Sequence, residues 1–253
     1  MVHDLWKVKN ELQLHVLNVG QGDALLLITP EQHHILIDGG PGNSVLTELS
    51  KVLPESFREI DLMILTHPHL DHMEGLIPVL ERFDVNAVMM STPSYDSLVY
   101  EAFLKAVTNE NIPIYFADDD TDFRFGDLEL DTLYPFEPFT NEMMENVNNA
   151  SPVIRVNDWL LLTGDAELEV EAQLLEAGID MDVDILKAGH HGSRTSSSWE
   201  FLEAVSPSIM LISAGEDNSY GHPHEETLEK AEDLGIEVMR TDLKGSITLY
   251  GMP

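Results

Sequence analysis

The stretch "LTHPHLDHMEGL" holds the residues with the clearest chemical potential in this chain. His67, His69, Asp71 and His72 fall within six residues, directly after the apolar run "IDLMILT". Because that run predicts a buried strand, the cluster should lie on the loop that follows it, where side chains can converge. Imidazole nitrogens and carboxylate oxygens are ligands that zinc, manganese and iron take in proteins. An accidental surface cluster is the alternative, but the apolar residues on both sides favour a metal site.

Two later strand ends offer candidate partners for this cluster. "LLLTGDAE" presents Asp165 after an apolar run, and "DILKAGHHGS" presents His190 and His191 in the same way. Each signal is weak alone, since an aspartate after a strand is often a helix cap and Asp165 could cap the helix predicted in "AELEVEAQ". Three strand-end clusters in one chain indicate a site for two metal ions.

Strands and helices alternate along the whole chain. Strands are predicted in "LQLHVLNV", "ALLLIT", "HHILID", "IDLMILT", "VNAVMMS", "IPIYFA", "PVIRV", "DWLLLTG", "VDILKAG", "SIMLISA", "EVMRT" and "GSITLY". Helices are predicted in "NSVLTELSKVL", capped by Asn43 or Ser44, and in "HMEGLIPVLERF", "YEAFLKAVTNE", "AELEVEAQLLEAG", "SSWEFLEAV" and "PHEETLEKAEDLG". The acidic segment 118–149 should be rich in turns, with a hairpin around Gly126. This mixture predicts a layered α/β sandwich, formed by residues 1–253 as a single domain of two related halves.

Composition excludes several classes of protein. The chain of 253 residues is long enough to bury a core. No apolar run approaches the roughly 18 residues that cross a bilayer, and the start "MVHDLWKVKN" lacks the apolar region of a secretory signal. The absence of cysteine excludes disulfides, thiolate ligands and a cysteine nucleophile. A soluble, cytoplasmic protein is favoured over a secreted one, unless the chain is a domain excised from a membrane protein.

The net charge of −33, from 13 basic and 46 acidic residues, is the unusual feature of the composition. Such a surface repels phosphate backbones at long range. It indicates either solvation in a salty environment, where screening removes most of the repulsion, or a substrate that is not a polyanion.

The motifs "NVGQGDALLL", "LIDGG", "THPHLDH", "LLLTGD" and "KAGHHGS", in this order, resemble the metallo-β-lactamase superfamily. With "NSYGHPHEETL", the resemblance is closest to the C-terminal metallo-hydrolase domain of ComEC-type DNA-uptake proteins, and it extends from about Leu12 to Tyr250. It implies a four-layer αββα sandwich with two divalent ions, zinc or manganese and in some cases iron, at one edge of the sheets.

The resemblance also implies roles for individual residues. His67 and His69 would hold the first ion, and Asp71 and His72 the second, together with either His190 or His191. Asp165 would bridge both ions. Asp38 would orient a ligand histidine, while Asp23 and Gln21 would lie near the site or only shape a tight turn. Catalytic roles would fall to Asp71, Asp165, His190 and His222.

One departure from the family concerns the first ion. Many members supply a third histidine ahead of the "TGD" strand, but no histidine occurs between His72 and His190. The polar candidates in that segment are Asn148, Asn149 and Ser151. His222 could complete the first site or hydrogen-bond a phosphoryl oxygen. Ser193, or whichever of the paired histidines is not a ligand, could bind a substrate oxygen, and Lys187 and Arg194 could attract phosphate or simply form salt bridges.

The resemblance implies a hydrolase whose two metals share a bridging hydroxide. A phosphodiesterase is favoured, with single-stranded DNA as the candidate substrate. A small-molecule phosphoesterase suits the acidic surface better. A non-catalytic scaffold is the third alternative, against which the intact ligand set argues. Aromatic residues make up only 7% of the chain and are not interleaved with Lys or Arg, so the sequence offers little for base stacking. The oligomeric state is left open.

Overall fold

The structure is a computed structural model that describes residues 11–251. The strands are β1 (Leu12–Val16), β2 (Leu25–Ile28), β3 (His34–Ile37), β4 (Glu59–Ile60), β5 (Leu62–Leu65), β6 (Asp84–Val85), β7 (Val88–Met90), β8 (Ile114–Phe116), β9 (Phe123–Phe125), β10 (Leu128–Tyr134), β11 (Val153–Val156), β12 (Leu160–Leu162), β13 (Ile185–Lys187), β14 (Ile209–Ile212), β15 (Glu237–Arg240) and β16 (Ile247–Gly251). The helices are α1 (Ser44–Val52), α2 (Leu70–Met73), α3 (Leu76–Leu80), α4 (Leu98–Asn109), α5 (Leu168–Ala177), α6 (Trp199–Val205), α7 (Glu225–Asp233) and α8 (Thr241–Lys244).

Two seven-stranded sheets form the centre of the fold. The first has the order β16-β1-β2-β3-β5-β7-β8, and the second β15-β14-β13-β12-β11-β10-β9. Each sheet is antiparallel on one side and parallel on the other, because β3, β5, β7 and β8 run parallel in the first sheet, as do β12, β13, β14 and β15 in the second. This repetition gives the chain its two related halves.

Three apolar clusters separate four layers. The middle cluster lies between the sheets and joins residues such as Leu27 and Ile64 of the first sheet to Ile154 and Leu162 of the second. The other two clusters pack α1, α3 and α4 on the outer face of the first sheet, and α5, α6 and α7 on the outer face of the second. The prediction of a four-layer αββα sandwich is therefore confirmed.

Most predicted elements occur close to their predicted places. The hairpin around Gly126 is formed by β9 and β10, and Gly126 has a φ of 63° at its turn. The helix predicted in "HMEGLIPVLERF" is instead two short helices, α2 and α3, that meet at Gly75. A side chain at Gly75 would lie 2.0 Å from the carbonyl oxygen of Gly39, so glycine allows this turn to contact the segment after β3. Asn43 occupies the N-cap position of α1 but makes no capping hydrogen bond with its side chain.

Within residues 11–251, no helix combines the length and the apolar character that a bilayer span requires.

Candidate metal centre

The candidate site lies where strand ends of the two sheets meet. In the first sheet, Asp38 follows β3, and Thr66 and His67 follow its parallel neighbour β5. In the second sheet, Asp165 follows β12, and the paired histidines follow its parallel neighbour β13. Because parallel strands end at the same edge of a sheet, each pair of neighbours brings its polar residues to one place.

Asp38 fixes the orientation of His72. Its carboxylate accepts hydrogen bonds from the backbone N–H of Thr66 at 2.9 Å and from the Thr66 hydroxyl at 2.8 Å, and it pairs with His72 Nδ1 at 2.7 Å. All three residues are buried. This leaves Nε2 of His72 directed towards Asp165, whose Oδ1 lies 3.2 Å away. Burial alone would lower the pKa of His72, but the carboxylates of Asp165 and Asp38 raise it well above its ordinary value.

A second buried network fixes His191. Its Nδ1 donates to the Ser213 carbonyl at 3.0 Å and lies 3.3 Å from Asp23 Oδ1, while the other oxygen of Asp23 pairs with Lys187 Nζ at 2.7 Å. Nε2 of His191 faces Asp71 Oδ2 at 3.4 Å and Asp165 Oδ2 at 3.6 Å. Burial would lower the pKa of His191, but Asp165 and Asp23 raise it to about 9.

Two glycines allow the sheets to approach closely enough to form the site. Gly164 has a φ of 50°, and a side chain there would lie 2.9 Å from Ser151 Cβ and 3.0 Å from Thr66 Cβ. Gly22 has a φ of 137°, and a side chain there would lie 2.1 Å from the Asp71 carbonyl oxygen. Residues with a Cβ would therefore push Asp165 and the "GQGD" turn away from the histidines.

Asp165 belongs to two of the four donor groups that could hold a metal ion among the described residues. Its carboxylate is 2% exposed and belongs to one group with His67 and His72 and to another with Asp23 and His191. Further groups combine Asp71, His72 and His191, and Asp23, Asp38 and His72. Within each group the ligand atoms lie within 4.8 Å of one another.

The buried polar atoms of the site that lack a hydrogen-bond partner are suited to bind a metal ion. Among the described residues, four buried atoms here have no hydrogen-bond partner: Asp23 Oδ1, His72 Nε2, Asp165 Oδ1 and His191 Nε2. His72 Nε2 and Asp165 Oδ1 lie 3.2 Å apart without forming a hydrogen bond. Unpaired buried polar atoms are costly, and nitrogen and oxygen donors converging on one point are the ligands that divalent ions take. The donor set therefore fits the divalent ions that the sequence implies.

His69 and His190 lie beside these donor groups rather than within them. Nδ1 of His69 is 3.0 Å from Nε2 of His67, and Nε2 of His190 is 3.7 Å from Asp165 Oδ2. The other nitrogen of His190 pairs with Glu167 Oε1 at 2.9 Å. Glu167 in turn accepts from the amides of Asn146 at 2.8 Å and Asn148 at 3.0 Å. The family's third histidine is absent from this segment. Its Asn146 and Asn148 instead hold Glu167, which pairs with His190.

The paired histidines adopt an uncommon backbone conformation. His190 has φ 47° and ψ 48°, and His191 has φ 55° and ψ 27°, so both are left-handed. Non-glycine residues in this region carry strain and cluster at functional sites. The turn presents both rings to Asp165 within one short segment.

A pocket of about 320 Å³ lies over these donors. It is lined by Gln21, His69, Leu70, Asp71, Tyr95, Asp165, His190, His191, Tyr220 and His222. His222 contacts the ring of His190 with the centroids 5.2 Å apart, and Nε2 of Gln21 lies 3.5 Å from His222 Nδ1. Burial and the neighbouring histidines lower the pKa of His222 to about 4, so its ring is neutral at pH 7.

Several candidates from the sequence are not brought into the pocket. Asn149 accepts from the Glu167 backbone N–H at 3.0 Å and thereby holds the start of α5. Ser193 is buried, with its hydroxyl 3.0 Å from that of Thr195. Lys187 is buried against Asp23, and Arg194 is exposed outside the lining of the pocket. Asp165 does not cap a helix, because α5 begins only at Leu168 and its N-cap is Glu167.

The other histidines of the described residues do not line the pocket, although the ring of His224 lies 4.9 Å from that of His222. His15 and His34 are buried in strands, and His33 pairs with Asp61 at 2.9 Å. His224 is the N-cap of α7, without a capping side-chain bond. His3 lies outside the described residues.

Sequence reasoning missed Glu167, Tyr95 and the pocket position of Tyr220. Glu167 stands two residues after Asp165 in "TGDAE", and Tyr220 two residues before His222 in "SYGHP", so proximity to each motif was an available signal. Tyr95 lies in a loop after β7, and no local pattern connects it to the histidines.

The comparison with known families agrees with this geometry. Residues 17–216 match the metallo-beta-lactamase superfamily. The chain therefore belongs to that superfamily, whose hydrolase fold binds divalent metals.

Within this superfamily, the curated relatives of the chain are proteins of the ComEC type. The chain is 29% identical over 261 residues to ComE operon protein 3 of Bacillus subtilis (strain 168). This match covers 95% of this chain and 33% of the relative. It is 30% identical over 244 residues to competence protein ComA of Neisseria gonorrhoeae, covering 94% of this chain and 32% of the relative. The chain thus spans about a third of the length of these relatives. The predicted resemblance to ComEC-type proteins is confirmed.

A solved structure shares the fold. The metallo-beta-lactamase fold protein YhfI from Bacillus subtilis superposes with a TM-score of 0.59, at 14% identity, covering 94% of this chain and 99% of that protein. At this identity the similarity shows the architecture alone.

Proposed function

We propose that residues 1–253 form one hydrolase domain, a dinuclear metal-dependent phosphodiesterase that cleaves single-stranded DNA. The observation that carries the proposal is the buried carboxylate of Asp165, which is shared by two donor groups under an open pocket. The resemblance of this chain to ComEC-type DNA-uptake proteins supports the choice of DNA, and one relative is named a competence protein.

The donors divide between two ions. His67 and His69 would bind the first ion, and Asp71, His72 and His191 the second, with Asp165 shared by both. His191 is the better candidate of the paired histidines, because its Nε2 lacks a hydrogen-bond partner and its other nitrogen is held by Ser213 and Asp23. Bound manganese or zinc would supply a hydroxide nucleophile at neutral pH and offset the charge on the phosphoryl oxygens.

The chain's own residues would position the substrate. His222 lines the pocket, where its ring contacts those of His190 and His191, on the side away from the first-ion residues His67 and His69. Of its two predicted roles, hydrogen bonding to a phosphoryl oxygen is therefore favoured over completing the first metal site. A neutral ring can donate one N–H to such an oxygen. His190, held by Glu167, would stand beside the leaving oxygen.

One observation favours a second candidate, a small phosphoester. None of the ten residues that line the described pocket is a lysine or arginine, and the chain has a net charge of −33. A basic track along the backbone is the usual means of binding a long single strand. A compact ester would need only the metals and the histidines.

The test compares cleavage of a labelled single-stranded oligonucleotide with that of bis(p-nitrophenyl) phosphate. Metal-stripped protein is reloaded with manganese or zinc, and Asp165→Asn is the test variant because it removes the shared charge with little change in shape. Asp158→Asn, at an exposed position, is the matched control. Cleavage of DNA that is lost only in Asp165→Asn supports the nuclease. Hydrolysis of the small ester alone, with metals bound, would refute DNA as the substrate.

A further inference from the structure

Two tyrosines line the pocket, although aromatic residues are few in the chain as a whole. Tyr95 and Tyr220 both line it, together with Leu70, which is 48% exposed. Tyr220 is 66% exposed, so most of its ring is available to a ligand. Large apolar groups exposed beside a polar pocket often mark a binding surface.

A row of aromatic contacts runs from one tyrosine through the candidate metal ligands to the other. The distances between ring centroids are 5.7 Å for Tyr95–His69, 4.6 Å for His69–His67, 4.2 Å for His67–His72, 5.2 Å for His72–His191, 6.0 Å for His191–His222 and 5.7 Å for His222–Tyr220. The candidate metal centre therefore lies between Tyr95 and Tyr220.

The ring of Tyr220 is held in a defined orientation despite its exposure. It lies at 22° to the ring of His222, nearly parallel. His222 is itself fixed, because its backbone N–H donates to Asn218 Oδ1 at 2.9 Å and its carbonyl accepts from Asn218 Nδ2 at 2.6 Å. A ring that is supported on one face and exposed on the other is suited to stack a planar group.

We propose that Tyr220 and Tyr95 stack the unpaired nucleobases on either side of the scissile phosphate. This inference rests on the proposed function and adds how the strand is held. Since no lysine or arginine lines the described pocket, base stacking would supply the affinity that a basic track supplies in other single-strand binders. Bases stacked within a duplex cannot present their faces to the tyrosines, so the site selects single strands.

Two quantitative consequences follow. Loss of one stacking ring should raise KM by about 5- to 150-fold while kcat changes by less than about threefold. The affinity of the wild-type protein should depend only weakly on salt, because each neutralised phosphate adds about 0.7 to the slope of log K against log [salt] for a single strand.

The experiment measures KM and kcat for a single-stranded oligonucleotide with Tyr220→Ala, Tyr220→Phe and Tyr95→Ala. Tyr250→Ala is the matched control, since Tyr250 is 51% exposed on β16 and does not line the pocket. A second substrate carries abasic residues on both sides of the cleaved bond. Binding of a 2-aminopurine oligonucleotide to Asp165→Asn protein, followed by fluorescence quenching, reports stacking independently of cleavage.

On the normal oligonucleotide, KM should rise for Tyr220→Ala and Tyr95→Ala and stay nearly normal for Tyr220→Phe. On the abasic substrate, the wild-type protein should show a KM close to that of the alanine variants on the normal oligonucleotide. Equal losses in Tyr220→Ala and Tyr220→Phe would assign the effect to the hydroxyl and overturn the stacking. Unchanged KM in both alanine variants would overturn it as well. Failure of the wild-type protein to cleave any DNA would instead count against the proposed nuclease function, and the fluorescence assay would then decide the stacking alone.

Discussion

Replacing Lys187 with methionine should destabilise the protein strongly, although the residue lies outside the pocket. Lys187 and Asp23 are 1% and 2% exposed at their side chains, and their charged atoms lie 2.7 Å apart. Methionine keeps the apolar stem but leaves the Asp23 carboxylate buried without its main counter-charge. Breaking a buried pair in this way costs about 3–5 kcal/mol. For a chain of this length, an unfolding entropy of about 0.5 kcal/mol/K converts that loss into a Tm lower by about 6–10 °C.

Thermal unfolding of metal-free protein, followed by circular dichroism, measures this effect. Lys51→Met is the matched control, because its pair with Glu48 is at the surface, where the lysine side chain is 61% exposed. That change should lower Tm by no more than about 2 °C. The double variant Lys187→Met/Asp23→Asn removes both charges and should recover most of the loss. A Lys187→Met protein that melts like the control, or a double variant that is less stable still, would refute the reasoning.

Three further predictions concern single residues. His15 is buried, and burial lowers its pKa from an ordinary 6.5 to about 4. Because the folded protein holds the ring neutral, the stability from His15 is fully present above pH 6.5 and is lost as the pH falls through 4. Between pH 7 and pH 4.5 the free energy of unfolding, measured in urea, should therefore fall by about 1–3 kcal/mol less in His15→Gln than in the wild-type protein. Asp38→Asn should weaken manganese or zinc binding about 10- to 100-fold in calorimetric titrations, whereas Asp61→Asn, which alters a carboxylate that bonds histidines elsewhere, should not. Glu167→Gln should lower turnover roughly tenfold or more with unchanged circular dichroism, and an equal loss in exposed Glu169→Gln would contradict the role given to Glu167.

The strands and the donors that follow them were predictable because both signals are local. Each inner strand is a short apolar run, and the donor residues come within a few positions of where such a run ends. Asp38 and Asp165 therefore appear in the sequence as carboxylates at strand ends, and the structure brings them within reach of His72.

The rest depended on contacts that no local pattern encodes. Lys187 ends β13 and reads as an ordinary cation, yet the fold buries it against the "GQGD" turn of the other sheet. The low aromatic content offered little for base stacking, and it gave no sign that Tyr95 and Tyr220 would line the pocket from distant loops. The position of Asn149 was also not deducible, since its role depends on where Glu167 lies.

The assembly of the site from distant segments ties metal binding to completed folding. The hydroxyl of Ser151 contacts His67 across 84 positions of sequence, and that of Ser213 contacts the Gly22 carbonyl across 191. Contacts over such separations close late, after the loop entropy of the intervening chain has been overcome. A partly folded chain would hold only fragments of the donor set, so a metal ion would bind and stabilise the native protein selectively. Metal occupancy would then be a gauge of how much of the protein in a preparation, or in a cell, has finished folding.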